Sequence, residues 1–262
     1  MKEAPATVLT PDSGEPSVPC NRAVVIMEKV NQWYGRMQVL RDVSLCVEEG
    51  SCVVLCGPSG SGKSSALRCI SRLETHQTGR IVVDGVELTD DPACISRIQR
   101  DVAMIFQSVN LFPHMSILEN CTLAPIWSRG MRREEAEASA AEALRQVGLL
   151  DRAHQHPSGL NAGELQRVAI ARALCMSPRI MLFDEPTVAL PPEMKGPVLE
   201  VMESVAKSGI TMICVANELE YARKAADRII FMDQGNILVN DVPSVFFERT
   251  DPPALMAFLA TV

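Results

Sequence analysis

Eight consecutive residues, Gly57-Pro58-Ser59-Gly60-Ser61-Gly62-Lys63-Ser64, fit the pattern G-x-x-x-x-G-K-[ST]. The glycines let a backbone curl until successive N–H groups point inward at one anion, which is what a β-phosphate requires. Lys63 has the reach for β- and γ-phosphate oxygens, the Ser64 hydroxyl suits Mg²⁺, and Ser65 adds a second hydroxyl close by. The context gives the pattern its meaning. It follows a short apolar run, Ser51 to Cys56, and precedes a segment of helical spacing, Gly62 to Leu73, with Ala66, Leu67, Ile70 and Leu73 on one face. A helix starting there adds the partial positive charge of its N-terminus to the anion site. An ordinary Gly/Ser turn needs none of this, so the chemistry expected is binding of ATP with Mg²⁺.

A hydrolytic site needs a second half, acidic and at the end of another buried strand. Ile180-Met181-Leu182-Phe183-Asp184-Glu185 has that form. Asp184 would hold Mg²⁺ through water, and Glu185 would polarise the attacking water. An acidic strand end alone means little; beside a phosphate loop it completes a site.

Elements must position these groups. Ala23 to Val30, Val39 to Val47 and Ser51 to Cys56 read as strands, and Ile81 to Leu88 as a hairpin turning on Asp84-Gly85. Val102 to Phe106 is strand-like and leads to Gln107. From about 111 to 163 the character is helix and loop. Arg133 to Val147 sets Ala136, Ala140, Ala143 and Leu144 at helical spacing, and a further helix begins near Gly163 with Val168, Ile170, Ala171 and Leu174. Strands return at Ile180 to Phe183, Ile210 to Val215 and Arg228 to Met232. Strands separated by helices predict an α/β fold with a largely parallel sheet.

Bulk properties narrow the partners. The chain has 262 residues, 47% of them hydrophobic, enough for a sizeable core, and a net charge of −7 that argues against a nucleic-acid footprint. There is no apolar run of membrane-spanning length. Residues 1–22 carry four prolines and no apolar stretch, and read as a disordered tail rather than an export signal. Nine cysteines include no CxxC pair and fall mostly within apolar stretches, the pattern of buried thiols in a reducing cytoplasm.

Asp184-Glu185-Pro186-Thr187, Gln107 after a strand, and the run from Gly163 to Leu174 together resemble the ATPase domain of ABC transporters, over nearly everything from Val24 onward. Leu111 to Ile126, Glu74 and Gly79-Arg80-Ile81 resemble the ATP-binding subunits of bacterial polar amino acid importers in particular. The resemblance implies a P-loop nucleotide-binding domain with a RecA-like mixed sheet core, an antiparallel β subdomain and a helical subdomain at about 111–166. It implies that Tyr34 stacks on adenine, with adjacent Trp33 a competing platform, and that Gln107 touches Mg²⁺ and the attacking water. It implies a second ATP-binding subunit, as homodimer or heterodimer, an integral membrane permease and, through it, a solute-binding protein. The location implied is cytoplasmic, peripheral on the inner face of the plasma membrane.

The sequence departs from that family's pattern at three places. The signature segment, usually Leu-Ser-Gly-Gly-Gln or -Glu, is Leu160-Asn161-Ala162-Gly163-Glu164. The loop after Glu-Pro-Thr, usually Ser-Ala-Leu-Asp, is Val188-Ala189-Leu190-Pro191. After the strand Ile213-Cys214-Val215 the family places Thr-His-Glu, and this chain has Ala216-Asn217-Glu218; its histidines, His76, His114, His154 and His156, fall elsewhere. The expectation is intact ATP binding with impaired hydrolysis; the alternative is a non-hydrolysing ATP-binding subunit.

Overall fold

The computed structural model describes residues 22–261, so the expectation for the first 22 residues lies outside the described residues apart from Arg22. In chain order the strands are β1 (Ala23–Tyr34), β2 (Met37–Glu48), β3 (Cys52–Cys56), β4 (Thr78–Val83), β5 (Val86–Glu87), β6 (Val102–Ile105), β7 (Ile180–Asp184), β8 (Thr211–Val215), β9 (Arg228–Asp233) and β10 (Asn236–Asp241). The α-helices are α1 (Lys63–Ile70), α2 (Pro92–Asp101), α3 (Ile117–Arg129), α4 (Arg133–Gln146), α5 (Ala162–Leu174), α6 (Pro192–Lys207), α7 (Leu219–Ala225), α8 (Pro243–Phe246) and α9 (Pro253–Leu259).

The strands form two sheets, the mixed core and the antiparallel β subdomain that the resemblance implies. One is antiparallel, in the order β2-β1-β4-β5; the other runs β10-β9-β3-β8-β7-β6. Every pairing in the second sheet is parallel except β10 with β9. Strands β3, β7 and β8 are buried at every residue, which is why they read as continuous apolar runs. Successive side chains divide between the two faces. Cys52, Val54 and Cys56 of β3 join the core under α3–α6, whereas Val53 and Leu55 join the core shared with β1, β2 and α1.

Asp84 and Gly85 take φ of 48° and 71°, the left-handed pair that the Asp-Gly hairpin signal demands. Helix α4 buries Ala136, Ala140, Ala143 and Leu144 as the spacing predicts. Helix α1 is shorter than its pattern. Arg72 turns left-handed at φ 58°, and the Leu73 N–H closes back on the Arg68 carbonyl at 2.9 Å, a Schellman-type end. Leu73 therefore leaves the buried face and is 51% exposed. Among the described residues Cys52, Cys56, Cys69, Cys94, Cys121, Cys175 and Cys214 are buried free thiols, and burial pushes Cys56 and Cys69 up to about 12. Cys46 departs from the all-thiol expectation and is disulfide-bonded. It sits on the half-buried outer face of β2, between the buried Leu45 and Val47, outside the core that encloses the other seven.

Candidate nucleotide-binding site

The C-terminal ends of three neighbouring parallel strands, β3, β8 and β7, deliver Gly57, Ala216-Asn217 and Asp184-Glu185 to one edge of the sheet. That edge is where open α/β sheets hold ligands, because loops and helix N-termini converge there. Gly57 leaves β3 at φ +139°, and a Cβ on it would lie 2.1 Å from the Met232 carbonyl oxygen of β9. Gly57→Ala therefore combines a conformation closed to L side chains with a clash against backbone. Its expected effect is a loss of at least about 1–3 kcal/mol of stability, read as a lowered denaturation midpoint. An unchanged midpoint would show that β9 yields freely.

Gly62 holds the loop's other end at φ +100°, under the Val39 carbonyl of β2, which a Cβ would meet at 2.8 Å. The antiparallel sheet thus closes over the loop and makes a cleft of about 460 Å³. That is the size range of small-molecule sites.

Lys63 opens α1 and points back into the loop. Its ammonium donates to the carbonyls of Gly57 and Pro58, each at 2.9 Å, and to Ser61 Oγ at 3.3 Å. Burial pushes the Lys63 pKa down, opposed by the nearby carboxylate of Glu185, the Cys56 side chain and Asp184. The Ser64 hydroxyl donates to Asp184 Oδ1 at 2.5 Å. A hydroxyl and a carboxylate oxygen side by side are hard donors of the kind Mg²⁺ takes alongside waters and substrate phosphates. Among the described residues no cluster of three His, Cys, Asp or Glu is placed to bind a metal. A cation here would accordingly need phosphate and water to complete its shell, which is the usual Mg²⁺ arrangement. Glu185 adopts φ 49°, uncommon for a non-glycine residue, with its N–H on the Val215 carbonyl at 3.1 Å, and lines the cleft.

Ser59, Gly60, Ser61, Gly62, Lys63, Ser64 and Ser65 all line this cleft, as does Tyr34, whose side chain meets Ser65. Tyr34 and Met37 face each other across a two-residue hairpin, Gly35-Arg36, and Tyr34 is 45% exposed. Burial, then the Glu74 side chain, raises the Tyr34 pKa. Trp33, one residue earlier on β1, is absent from the lining, as strand alternation dictates. Asp184 lies beneath the lining, reached through Ser64. Gln107 is exposed beyond the end of β6 and is not part of the lining; the loop there is tied to α5 by Gln166 Nε2 donating to the Phe106 carbonyl at 3.0 Å.

Sequence reasoning passed over Gln38, Arg41, Gln234 and Gly235, which also line the cleft. Their signal is weak, since an exposed β-strand face and a Gln-Gly turn are common. It also passed over Thr187 and Lys195 as a pair. Both donate to Glu218 Oε1, at 2.7 and 2.9 Å, and join the Glu185 segment and α6 to the segment after β8. Burial raises the Glu218 carboxyl, but these two donors override it and leave it lowered.

The departures from the family pattern occupy defined places. Asn161 caps α5: its Oδ1 accepts from the Glu164 N–H and Glu164 Oε2 accepts from the Asn161 N–H, both at 2.9 Å. That leaves the Asn161 amide NH₂ free to donate outward. Ala162 is the exposed first residue of the same helix. Val188 is 45% exposed, and Pro191 stands at the N-cap of α6 with no side-chain cap. Among the described residues the Asn217 Oδ1 is buried without a hydrogen-bond partner, and no histidine lines the cleft.

Comparison with known proteins gives concordant matches. The ABC transporter family profile matches residues 40–188. The General L-amino acid transport ATP-binding protein AapP of Rhizobium johnstonii is 50% identical over 262 residues, covering 100% of this chain and 99% of that protein. An uncharacterised amino-acid ABC transporter ATP-binding protein, YhdZ of Escherichia coli K12, is 52% identical over 92% of this chain and 95% of its own length. Among solved structures, a dimeric ATP-binding cassette in a post-hydrolysis state with ADP and Pi superposes with a TM-score of 0.75 at 33% identity. It covers 84% of this chain and 98% of that one.

Proposed function

The chain belongs to the ABC transporter family, and from that premise we propose that it is the ATP-binding subunit of an importer for polar amino acids, with slowed hydrolysis. The observation that carries the reading is the cleft in which the phosphate loop, Lys63, Ser64 and Glu185 converge under Tyr34. The named relatives supply the substrate class, since amino acid transport is in their names. Partners follow from the same reading: a second ATP-binding subunit, a membrane permease and, through it, a solute-binding protein. Among the described residues no helix is long and apolar enough to cross a membrane, so the proposed location, the inner face of the plasma membrane, depends on the permease.

In this mechanism Tyr34 offers a face to the adenine. The loop N–H groups from Ser59 to Ser64 and the N-terminus of α1 take the β-phosphate. Lys63 exchanges its carbonyl partners for phosphate oxygens. Ser64 and, through water, Asp184 would hold Mg²⁺, which would supply charge neutralisation of the γ-phosphate. Glu185 accepts a proton from the attacking water. Gln107 enters only through movement of its exposed loop, and the helical region at 111–166 faces the permease.

A non-hydrolysing ATP-binding subunit is the second reading, and Asn217 favours it. The group at the switch position has no ring nitrogen, and its buried oxygen has no partner among the described residues. Steady-state ATP hydrolysis, measured on the purified chain alone and with its permease, decides between them. Phosphate release that falls to background in Glu185→Gln supports the importer motor and overturns the second reading. Tight ATP binding with no release in either setting overturns the first.

A further inference from the structure

The guanidinium of Arg68, on α1, bridges two carboxylates outside the cleft lining, one beside Ser64 and the other beside Tyr34. One terminal nitrogen donates to Asp184 Oδ2 at 3.2 Å and the other to Glu74 Oε1 at 3.4 Å. Asp184 gives its other oxygen to Ser64. Glu74 gives its other oxygen to Gln32 Nε2, at 2.7 Å. Gln32 lies on β1 two residues before Tyr34, and the Glu74 side chain meets Tyr34 as well. An unbroken line of polar contacts therefore runs from the strand that carries Tyr34, through Gln32, Glu74 and Arg68, to Asp184 and Ser64.

We propose that Arg68 is a positioning residue that couples the base-binding end of the cleft to its cation-binding end. The coupling rests on the nucleotide reading given above and extends it. A carboxylate accepting a single hydrogen bond is free to rotate about its last torsion. Asp184 accepts on both oxygens from two different directions, and this fixes which oxygen stands beside Ser64. Glu74 in turn fixes Arg68, and its partner Gln32 moves with β1. Docking of a base against Tyr34 fixes the Glu74 side chain that meets it, and the order passes along the line to Asp184. The planar fork of arginine serves two acceptors at once; a lysine in its place serves one.

The test measures ATP binding by calorimetry across a magnesium chloride titration, with inorganic tripolyphosphate as a probe that lacks the base. In the natural protein, Mg²⁺ strengthens ATP binding more than it strengthens tripolyphosphate binding. In Arg68→Gln the Mg²⁺ concentration at half effect rises on the order of tenfold, within the usual range of coupling between sites, and the ATP advantage disappears. Binding of ATP in EDTA is unchanged, and Arg68→Lys falls between the two. A half-effect concentration that does not move in folded Arg68→Gln overturns the proposal. So does an equal loss in EDTA and in Mg²⁺, the mark of a merely structural role. Glu74→Gln, which acts from the far end of the line, gives the same readout if Arg68→Gln does not fold. Absence of ATP binding by the natural protein would instead overturn the nucleotide reading itself.

Discussion

Lys63→Ala is expected to weaken ATP binding by about 10²–10³-fold, with the fold retained. Removing one member of a buried, hydrogen-bonded charge pair typically costs about 2–5 kcal/mol, and each ~1.4 kcal/mol is tenfold in affinity. The Lys63 ammonium is buried and held by two carbonyls and a serine hydroxyl, with Glu185 and Asp184 as nearby charges. A triphosphate supplies the anionic partner that this arrangement lacks. Without the lysine, the phosphate charge would face the Asp184 and Glu185 carboxylates unscreened. The pH dependence has a definite sign. Burial lowers the Lys63 pKa in the free protein, and phosphate binding raises it. ATP affinity should therefore fall as pH rises through an alkaline range below the ordinary lysine value, and binding there should take up protons. The same lowered pKa means that the unfolded chain holds more protons in that window, so this residue's contribution to stability increases with pH across it. Calorimetry in two buffers of different ionisation enthalpy measures the proton uptake. An affinity within threefold of the natural protein's would remove the phosphate-loop assignment.

Restoring the family residues at five positions is expected to raise turnover by about 10²–10³-fold, chiefly through Asn217→His. That range is what one preorganised donor to transition-state charge is worth. The other four changes, Asn161→Ser, Ala162→Gly, Val188→Ser and Pro191→Asp, act in the same unit and should not multiply independently. Their effects on stability separate from their effects on rate. Serine is as good a helix cap as asparagine, so Asn161→Ser should leave α5 intact. Asp at position 191 would provide the N-cap that α6 lacks, and should add roughly 1 kcal/mol of stability whether or not it affects hydrolysis. ATP binding should change little, because none of the five lines the cleft. Single-turnover hydrolysis by the five-fold variant, with Asn217→His alone beside it, checks the prediction. Equal rates in the natural protein and both variants would show that Asn217 imposes no deficit.

The phosphate loop was legible because its signal is local. A backbone that curls around an anion needs glycines at fixed offsets, and Gly57, Gly60 and Gly62 have φ of 139°, 78° and 100°. The buried strands β3, β7 and β8 were legible because a strand covered on both faces is apolar throughout. Helix α6 was not. Pro191, Pro192, Gly196 and Pro197 are residue types that disfavour a helix interior, yet the helix runs from Pro192 through Pro197, with Val198, Val201, Met202 and Val205 buried against the core. Packing there outweighs local propensity. The end of α1 was missed for a related reason: the apolar spacing runs on to Leu73, while a left-handed Arg72 stops the helix first.

The sequence by itself determined that a phosphate-loop motif and a pair of strand-end carboxylates are present, and that Asn217 follows the strand at the place where the resemblance implies a histidine. These are statements about residue type and spacing, and spacing is written in the chain. Only the tertiary structure decided which groups meet. Tyr34 reaches the cleft while Trp33 does not, because strand alternation and a two-residue hairpin orient them. Gln107 stands outside the lining. Arg68 joins Asp184 to Glu74, and Glu218 joins Thr187 to Lys195, across separations of up to 116 and 31 residues. Such contacts obey no sequence period. They exist because the strand order β3-β8-β7 brings distant strand ends together at one edge.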